Sequence, residues 1–562
     1  MSTLVHPKKY STSFLTNDLM AGLTVAIMLI PQGMAYAMMA GLDPIYGLYA
    51  GLVPMLVYPI FGTSKYLSVG PVALVSILLL SGLQSLAEPG TSEFLSLALL
   101  TSFVAGVIQI LLFMFRLGFL VNFLSYPVIA GFTSAAAIII SISQLKYLFG
   151  LELPRSVNSL NMIKELFGNI QDINFPSLIV GLIALVIIVG LKKIKSKLPG
   201  ALLVLILGIV ATKFLNLTEA GITILGNIPK GLPSFTTIDY SWVNIQKVLP
   251  LSIIICIISF IESLSIAKTL GAKNNEYNID ANREFLSLGL AKVVGAFFLA
   301  FPNTGSFTRS AVNEQSEAKS GYSSIFAAIM VGLVLLFLTD MFYYLPKTIL
   351  AAIVISAVFG LIDYKIFKKL LKTDRRDLIS FLTTFILTLT LGVQSGVLSG
   401  IIVSLILIIQ RISDPHVAIL GKIQGSKHYR NIERFTNATC PKNTLIMRYD
   451  GDLFFGNVDH FYTVIVNQIE QKENIEFLIL NLTALHSPDS TGLNKLLQVI
   501  KYASNRNITV LLTDVKGPVR DKFERIGFYE FVNKQNIFLS VENACDELLK
   551  KSDLENIITQ DN

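Results

Sequence analysis

Fourteen apolar stretches follow one another between residues 18 and 413: 18–40, 44–62, 70–84, 93–115, 123–145, 175–193, 199–217, 248–270, 282–301, 305–316, 321–340, 343–361, 377–393 and 395–413. Most are close to the ~20 residues that carry an α-helix across a bilayer core. No water satisfies the backbone there, so a chain of this kind is expected to fold as a bundle of membrane-spanning helices. Two stretches, 70–84 and 305–316, look too short or too polar to cross alone.

Charge divides the chain in two. Residues 1–414 carry 48 charged side chains and residues 415–562 carry 35, about half the density against an ordinary soluble density. The reading is a membrane domain over 1–414, with halves at about 18–217 and 248–413, and a soluble tail over 415–562. The membrane part holds 28 basic and 20 acidic residues, and the tail 17 and 18. The basic excess sits in short loops, which makes it a topology signal and not a nucleic-acid surface. Lys192, Lys193, Lys195 and Lys197 follow the sixth stretch; Lys365, Lys368, Lys369, Lys372, Arg375 and Arg376 follow the twelfth. Six crossings separate the clusters, so both are expected in the cytoplasm with both termini. No cleavable signal peptide is expected, since the stretch after Lys8 and Lys9 is too long and too Gly/Pro-broken. Cys256, Cys440 and Cys545 are far apart and form no metal or disulfide pattern.

The two short stretches sit at matching places in the halves. LSVGP (67–71) leads into the first and FPNTG (301–305) into the second. Interrupted segments at corresponding positions point to a transporter site. If the two half-helix N-termini meet, their free N–H groups and dipoles make an anion site. The alternative is two ordinary short spans. Arg309, inside the second short stretch, favours an anion, or else pairs with an acid of the bundle. Glu262, deep in the eighth stretch, is a candidate proton carrier or a fixed salt-bridge partner. Lys292 reads as a snorkelling or bundle-facing lysine. Pro31 is expected to break the first stretch. Gln32 and Tyr36, four residues apart, then share a face and could either reach an anion or pack.

The tail alternates apolar strands (444 onward, 477–485, 508–515) with helices (458–472, 492–507, and from about 518), which indicates a small α/β domain. The loop HSPDSTG (486–492) runs into a helix that Asp489, Ser490 or Thr491 can cap; an exposed hydroxyl there is also suited to phosphate.

The stretch PQGMAYAMMAGLDPIYGLYAGLVPMLVYPIFGTSKYLSVGPVALVS (31–76) resembles the signature region of SulP (sulfate permease) anion transporters. TGSFTRSAVNEQSEAKS (304–320) resembles their second half-helix, and the tail with PDSTGL (488–493) is similar to a STAS domain. The resemblance implies an α-helical polytopic membrane protein. Its fourteen transmembrane segments form two inverted seven-segment repeats, with core and gate domains and a cytoplasmic STAS domain. It implies a substrate site at Gln32, Tyr36, Val72, Ala73, Ser306, Phe307, Thr308 and Arg309. Glu262 matches the position tied to ion coupling; Glu there is more typical of proton-coupled members and Asp of sodium-coupled ones. A homodimer is expected, with no cofactor and H+ favoured over Na+. Ser490 and Thr491 carry a possible regulatory role. Lys292 and Glu317 depart from the pattern: the family often has an uncharged polar residue at the first position and glycine at the second.

The resulting expectation is a secondary transporter of the bacterial inner membrane, moving an inorganic anion, sulfate first. Sodium-coupled bicarbonate or dicarboxylate transport, or an exchanger or channel on the same fold, stays open. A nucleobase permease would want acidic or amide groups where Arg309 stands. The tail could sense a nucleotide or dock a cytoplasmic partner, which can coexist with transport. No nucleophile–base constellation or metal cluster suggests an enzyme.

Overall fold

The computed structural model describes residues 12–118, 125–151, 159–194, 200–274, 279–359, 362–472 and 474–560. Lys8, Lys9, Lys195 and Lys197 lie outside them. The chain divides into two compact units, residues 1–404 and 405–562.

The first half of the membrane unit runs α1 (Thr12–Met39), α2 (Pro44–Phe61), β1 (Val69–Gly70), α3 (Ala73–Leu83), α4 (Ser92–Met114), α5 (Tyr126–Phe149), α6 (Ser159–Gly168), α7 (Phe175–Lys193) and α8 (Gly200–Phe214). The second half runs α9 (Trp242–Lys273), α10 (Ala281–Phe297), β2 (Thr304–Gly305), α11 (Phe307–Gln315), α12 (Tyr322–Phe337), α13 (Lys347–Val358), α14 (Tyr364–Thr373), α15 (Arg375–Leu391) and α16 (Val393–Ser413). Each apolar stretch is a helix, and the short α6 and α14 are additions in the connections. Among the described residues, seven helices are long and apolar enough to cross a membrane by length and composition. One expectation fails: Pro31 lies inside α1, which continues through it. A membrane helix tolerates proline because neighbouring groups and local adjustment absorb the lost hydrogen bond.

Packing repeats between the halves. α1 packs on α12 as α9 packs on α4; α2 packs on α12 as α10 packs on α4; α5 packs on α15 as α13 packs on α7. Exchanging the halves maps these pairs onto one another. The equivalent strands β1 and β2 pair antiparallel, as an inverted repeat requires. One bundle gathers α1–α4 with α9–α12, and the other gathers α5, α7, α8, α13 and α15. Lipid is as apolar as the side chains, so close backbone approach drives the packing. A methyl on Gly106 of α4 would stand 2.7 Å from the Gly289 carbonyl of α10, and one on Gly289 would stand 2.9 Å from the Gly106 carbonyl. Peripheral α7 keeps Phe175, Ile179, Leu182, Ile183 and Val186 exposed, spaced to face lipid.

Two buried carboxylates tie the first bundle. Asp18 of α1 accepts from Lys319 N (2.7 Å), Ser320 N (3.1 Å) and Ser320 Oγ (2.6 Å), and so anchors α1 to the start of α12. Glu284 of α10 accepts from Thr63 N (2.7 Å), Thr63 Oγ1 (2.5 Å) and the Tyr58 hydroxyl (3.0 Å). These contacts are all donors, which stabilises both carboxylates in place.

The second unit is an α/β domain. It comprises β3 (Val417–Ile423), β4 (Tyr429–Asn431), β5 (Ala438–Thr439), β6 (Thr444–Tyr449), α17 (Val458–Gln471), β7 (Phe477–Asn481), α18 (Ser490–Ser504), β8 (Thr509–Thr513), α19 (Gly517–Arg525), β9 (Ile537–Phe538) and α20 (Val541–Gln560). The sheet order is β4-β3-β6-β7-β8-β9, with β5 also on β3; β6 to β9 are parallel. Phe461, Ile465, Leu493 and Leu496 cover one face against Leu478, Leu480 and Leu512. Val541, Ala544 and Cys545 of α20 cover Ile446, Ile479 and Leu511 on the other. The antiparallel edge β3–β5, the short β9 and the covering helix α20 are additions to the sequence reading.

Tyr58→Phe removes one donor from the buried Glu284 carboxylate. We expect a loss of roughly 1–3 kcal/mol of stability, read as a lower unfolding temperature of the purified protein. An unchanged temperature would remove Tyr58 from the tie.

Candidate anion site

Both helix interruptions are built from the same parts. In the first half, Pro71 and Val72 hold extended backbone before α3; Val72 has φ −140° and ψ 144°, and no side chain caps α3. In the second half, Ser306 precedes α11, and its Oγ accepts from Arg309 N. The strands cross as a two-residue antiparallel ladder, Val69 with Gly305 and Gly70 with Thr304, extended by Ser306 N to Ser68 O at 3.0 Å. Hydroxyl groups tie the ladder to α9 and α11. Ser263 Oγ accepts from Gly305 N (2.8 Å), Thr304 Oγ1 donates to Ser259 O (2.8 Å), and Ser310 Oγ accepts from Ser68 N (2.9 Å). Thus irregular backbone survives within the bundle because protein groups pair it.

Arg309 lies across this ladder, fully buried. Its Nη1 donates to Pro71 O (3.0 Å) and Gln32 Oε1 (3.4 Å), and its Nε to Ser68 Oγ (3.4 Å). Its Nη2 is buried without a hydrogen-bond partner. A methyl on Gly70 would stand 3.1 Å from that nitrogen. Among the described residues no carboxylate forms an ion pair with Arg309, so the expected alternative of an acid partner is not realised. Tyr36 and Glu262 are its charge neighbours at longer range. A buried guanidinium with one free nitrogen, beside an uncapped helix N-terminus, is an arrangement that an anion completes.

The other expected residues distribute around it. Gln32 and Tyr36 are buried on α1, with the Gln32 amide oxygen on Arg309. Ala73 is buried at the start of α3 and Val72 half-buried before it. Ser306 Oγ lies 3.2 Å from Thr308 Oγ1. Phe307 is 53% exposed and lines a cavity of about 360 Å³ with Tyr126, Ile129 and Thr133 of α5, and Asp363 and Lys365. Thr308 is exposed beside it. Glu262 is half-buried, its Oε2 is buried without a hydrogen-bond partner, and among the described residues no salt bridge fixes it.

Four residues that support the site escaped sequence reading: Ser68, Ser263, Thr304 and Ser310. Ser310 follows Ser306 by four and Ser263 follows Ser259 by four, so each pair shares a helix face. That hydroxyl spacing was the available signal.

Glu317 ends α11 at φ +58°. Glu317 N bonds Glu314 O (2.9 Å) and Ala318 N bonds Asn313 O (3.1 Å), a helix stop that favours glycine. Glu317→Gly is expected to stabilise the protein by roughly 0.5–1 kcal/mol, since the left-handed penalty outweighs the added freedom of the unfolded chain. A lower unfolding temperature would contradict this.

In the tail, Asp489 is the cap of α18: Oδ1 accepts from Gly492 N (2.7 Å) and Oδ2 from Phe455 N (2.9 Å). Ser490 and Thr491 are exposed on its first turn. A cleft of about 860 Å³ opens at the carboxyl ends of β6, β7 and β8, lined in part by Arg448, Asp450, Asn481, His486 and Lys516. Burial raises the Asp450 carboxyl, but hydrogen bonds from Arg448 (2.5 Å) and His416 (2.9 Å) outweigh it and hold it below its ordinary range.

The model of the sulfate permease family matches residues 15–384, and that of the STAS domain matches residues 436–544. Over 96% of its length the chain is 38% identical to sulfate transporter 4.1, chloroplastic, of Arabidopsis thaliana, covering 81% of that protein. It is likewise 38% identical to the probable sulfate transporter 4.2 of the same plant, over 94% of this chain and 80% of that one. Among solved structures, murine Solute Carrier 26 family member A9, an anion transporter captured in the inward-facing state, superposes with a TM-score of 0.89 at 23% identity, over 96% of this chain and 92% of that one. The transmembrane domain of the cyanobacterial bicarbonate transporter BicA superposes with a TM-score of 0.62 at 21% identity, over 71% of this chain and 99% of that one. These two likenesses show the fold. With a family match over most of its membrane unit and relatives alike along nearly its whole length, the chain belongs to the sulfate permease family and carries a STAS domain.

Proposed function

We propose that this protein is a secondary transporter that moves an inorganic anion, sulfate in the first place, by alternating access coupled to protons. One observation carries the reading. Arg309 keeps a buried, unpartnered Nη2 where two half-helices begin. The positive ends of both dipoles and a guanidinium there favour a small oxyanion over a cation or neutral solute. The plant relatives named sulfate transporters support sulfate over bicarbonate, which is the substrate in the name of the BicA structure.

Glu262 supplies the coupling step. Its buried Oε2 has no partner, so an ionised carboxylate there is costly and uptake of a proton removes that cost. Proton and anion then enter together, and the net charge that reorients stays small. The two bundles and the cavity at Phe307 support a rocking of one bundle on the other around the ladder.

The chain is proposed to lie in the bacterial inner membrane with both termini in the cytoplasm. Lys192 and Lys193 end α7, and Lys365, Lys368, Lys369 and Lys372 lie on α14, six crossings later. A homodimer is proposed from the family, and the cleft of the tail is where a cytoplasmic partner would engage.

Two variants test the proposal in proteoliposomes with labelled sulfate. Wild type should accumulate sulfate under an inward proton gradient. Glu262→Gln should lose the acceleration by the gradient while keeping sulfate exchange. Arg309→Ala should weaken sulfate binding by roughly 100-fold, the loss of a charge-assisted contact. Absence of sulfate movement under any gradient would sink the sulfate reading, and bicarbonate under a sodium gradient would replace it. Proton-driven uptake in Glu262→Gln would make that residue structural.

A further inference from the structure

Lys292 lies midway along α10 and is fully buried, so it cannot snorkel to an interface. Among the described residues no carboxylate stands within ion-pair distance of it. Its Nζ donates to a single acceptor, Gln109 Oε1 of α4, at 3.1 Å. Lysine only donates, so the Gln109 amide must turn its oxygen to Lys292 and its NH2 the other way. That NH2 donates to Cys256 O (3.0 Å) and Ser259 Oγ (3.2 Å) of α9. The next link is Thr304 Oγ1, which donates to Ser259 O (2.8 Å) and lies 2.9 Å from Ser263 Oγ. Ser263 Oγ accepts from Gly305 N, and Gly305 precedes the Ser306 cap of α11. A continuous polar chain thus runs from an uncompensated lysine to the back of the strand that carries the anion site.

We propose that Lys292 is a specificity-determining residue, whose buried charge behind β2 makes the site prefer divalent over monovalent anions. The inference rests on the anion reading of Arg309. Glu284, eight residues earlier on α10, takes its hydrogen bonds from Thr63 and Tyr58 and forms no ion pair with Lys292. A fixed charge in a low-dielectric interior acts on a ligand in proportion to the ligand's own charge. Losing it therefore costs a dianion twice as much, in logarithmic units, as a monoanion of the same shape. Its other effect is to fix the Gln109 amide, and any hydrogen-bonding replacement retains part of that.

Sulfate and perchlorate are tetrahedral oxyanions of similar size and different charge. The experiment measures the affinity of the purified full chain for labelled sulfate and the competition by perchlorate, in wild type, Lys292→Gln and Lys292→Arg. In Lys292→Gln, sulfate should weaken about tenfold and perchlorate about threefold, the square root expected of half the charge. Lys292→Arg, which keeps the charge, should retain the wild-type ratio. Gln109→Glu sets a carboxylate against Lys292 and cancels its charge in place; it should shift the ratio as Lys292→Gln does, and it serves if that variant fails to fold. An unchanged ratio in the neutralised variants, with both anions still bound, overturns the inference and leaves the anion site standing. Failure of wild type to bind either anion overturns the anion site itself.

Discussion

A helix that stops inside a bilayer leaves backbone groups that no water can satisfy, and this chain stops two of them against each other. The two-residue ladder between β1 and β2 is the solution, and the rest of the first bundle is arranged to hold it. Ser263 and Ser310 supply hydroxyls to backbone N–H groups beside the ladder, and the Ser259 carbonyl accepts from the Thr304 hydroxyl. The same interruption that costs hydrogen bonds also exposes helix N-termini, and these offer an anion strong, fixed dipoles inside the bundle. Structure and proposed function therefore share one origin.

Five charged groups inside the membrane unit sort into two sets by how completely they are paired. Asp18 and Glu284 are surrounded by donors and join helices. Arg309, Glu262 and Lys292 form no ion pair among the described residues: one nitrogen of Arg309 and one oxygen of Glu262 have no hydrogen-bond partner, and Lys292 has only an amide. In hydrocarbon a paired charge is structural at modest cost, whereas an unpaired one persists only if a mobile charge completes it. The three unpaired groups lie on α9, α10 and α11, around the strand and half-helix of the second repeat.

Much of this was legible in the sequence because hydropathy and Gly/Pro punctuation act locally. The fourteen stretches, the two interruptions, and the placing of Gln32, Tyr36, Arg309 and Glu262 all rest on such signals. Pro31 misled, because a proline rule derived for isolated helices ignores the neighbours that compensate it. Ser68, Ser263 and Thr304 were hidden because their role depends on which strand crosses which helix, a long-range fact. The edge strands β4 and β5 are three and two residues long, too short to show a period. The strained Glu317 could be suspected only by comparison with the family's glycine, and the backbone angle gives the reason.

The most direct measurement is an experimental structure of the protein with selenate, located by its anomalous signal. The account places selenate within hydrogen-bonding distance of Arg309 Nη2 and the first N–H groups of α3, beside Gln32. Selenate bound reproducibly elsewhere in the membrane unit, with Arg309 Nη2 left as it is, would contradict it.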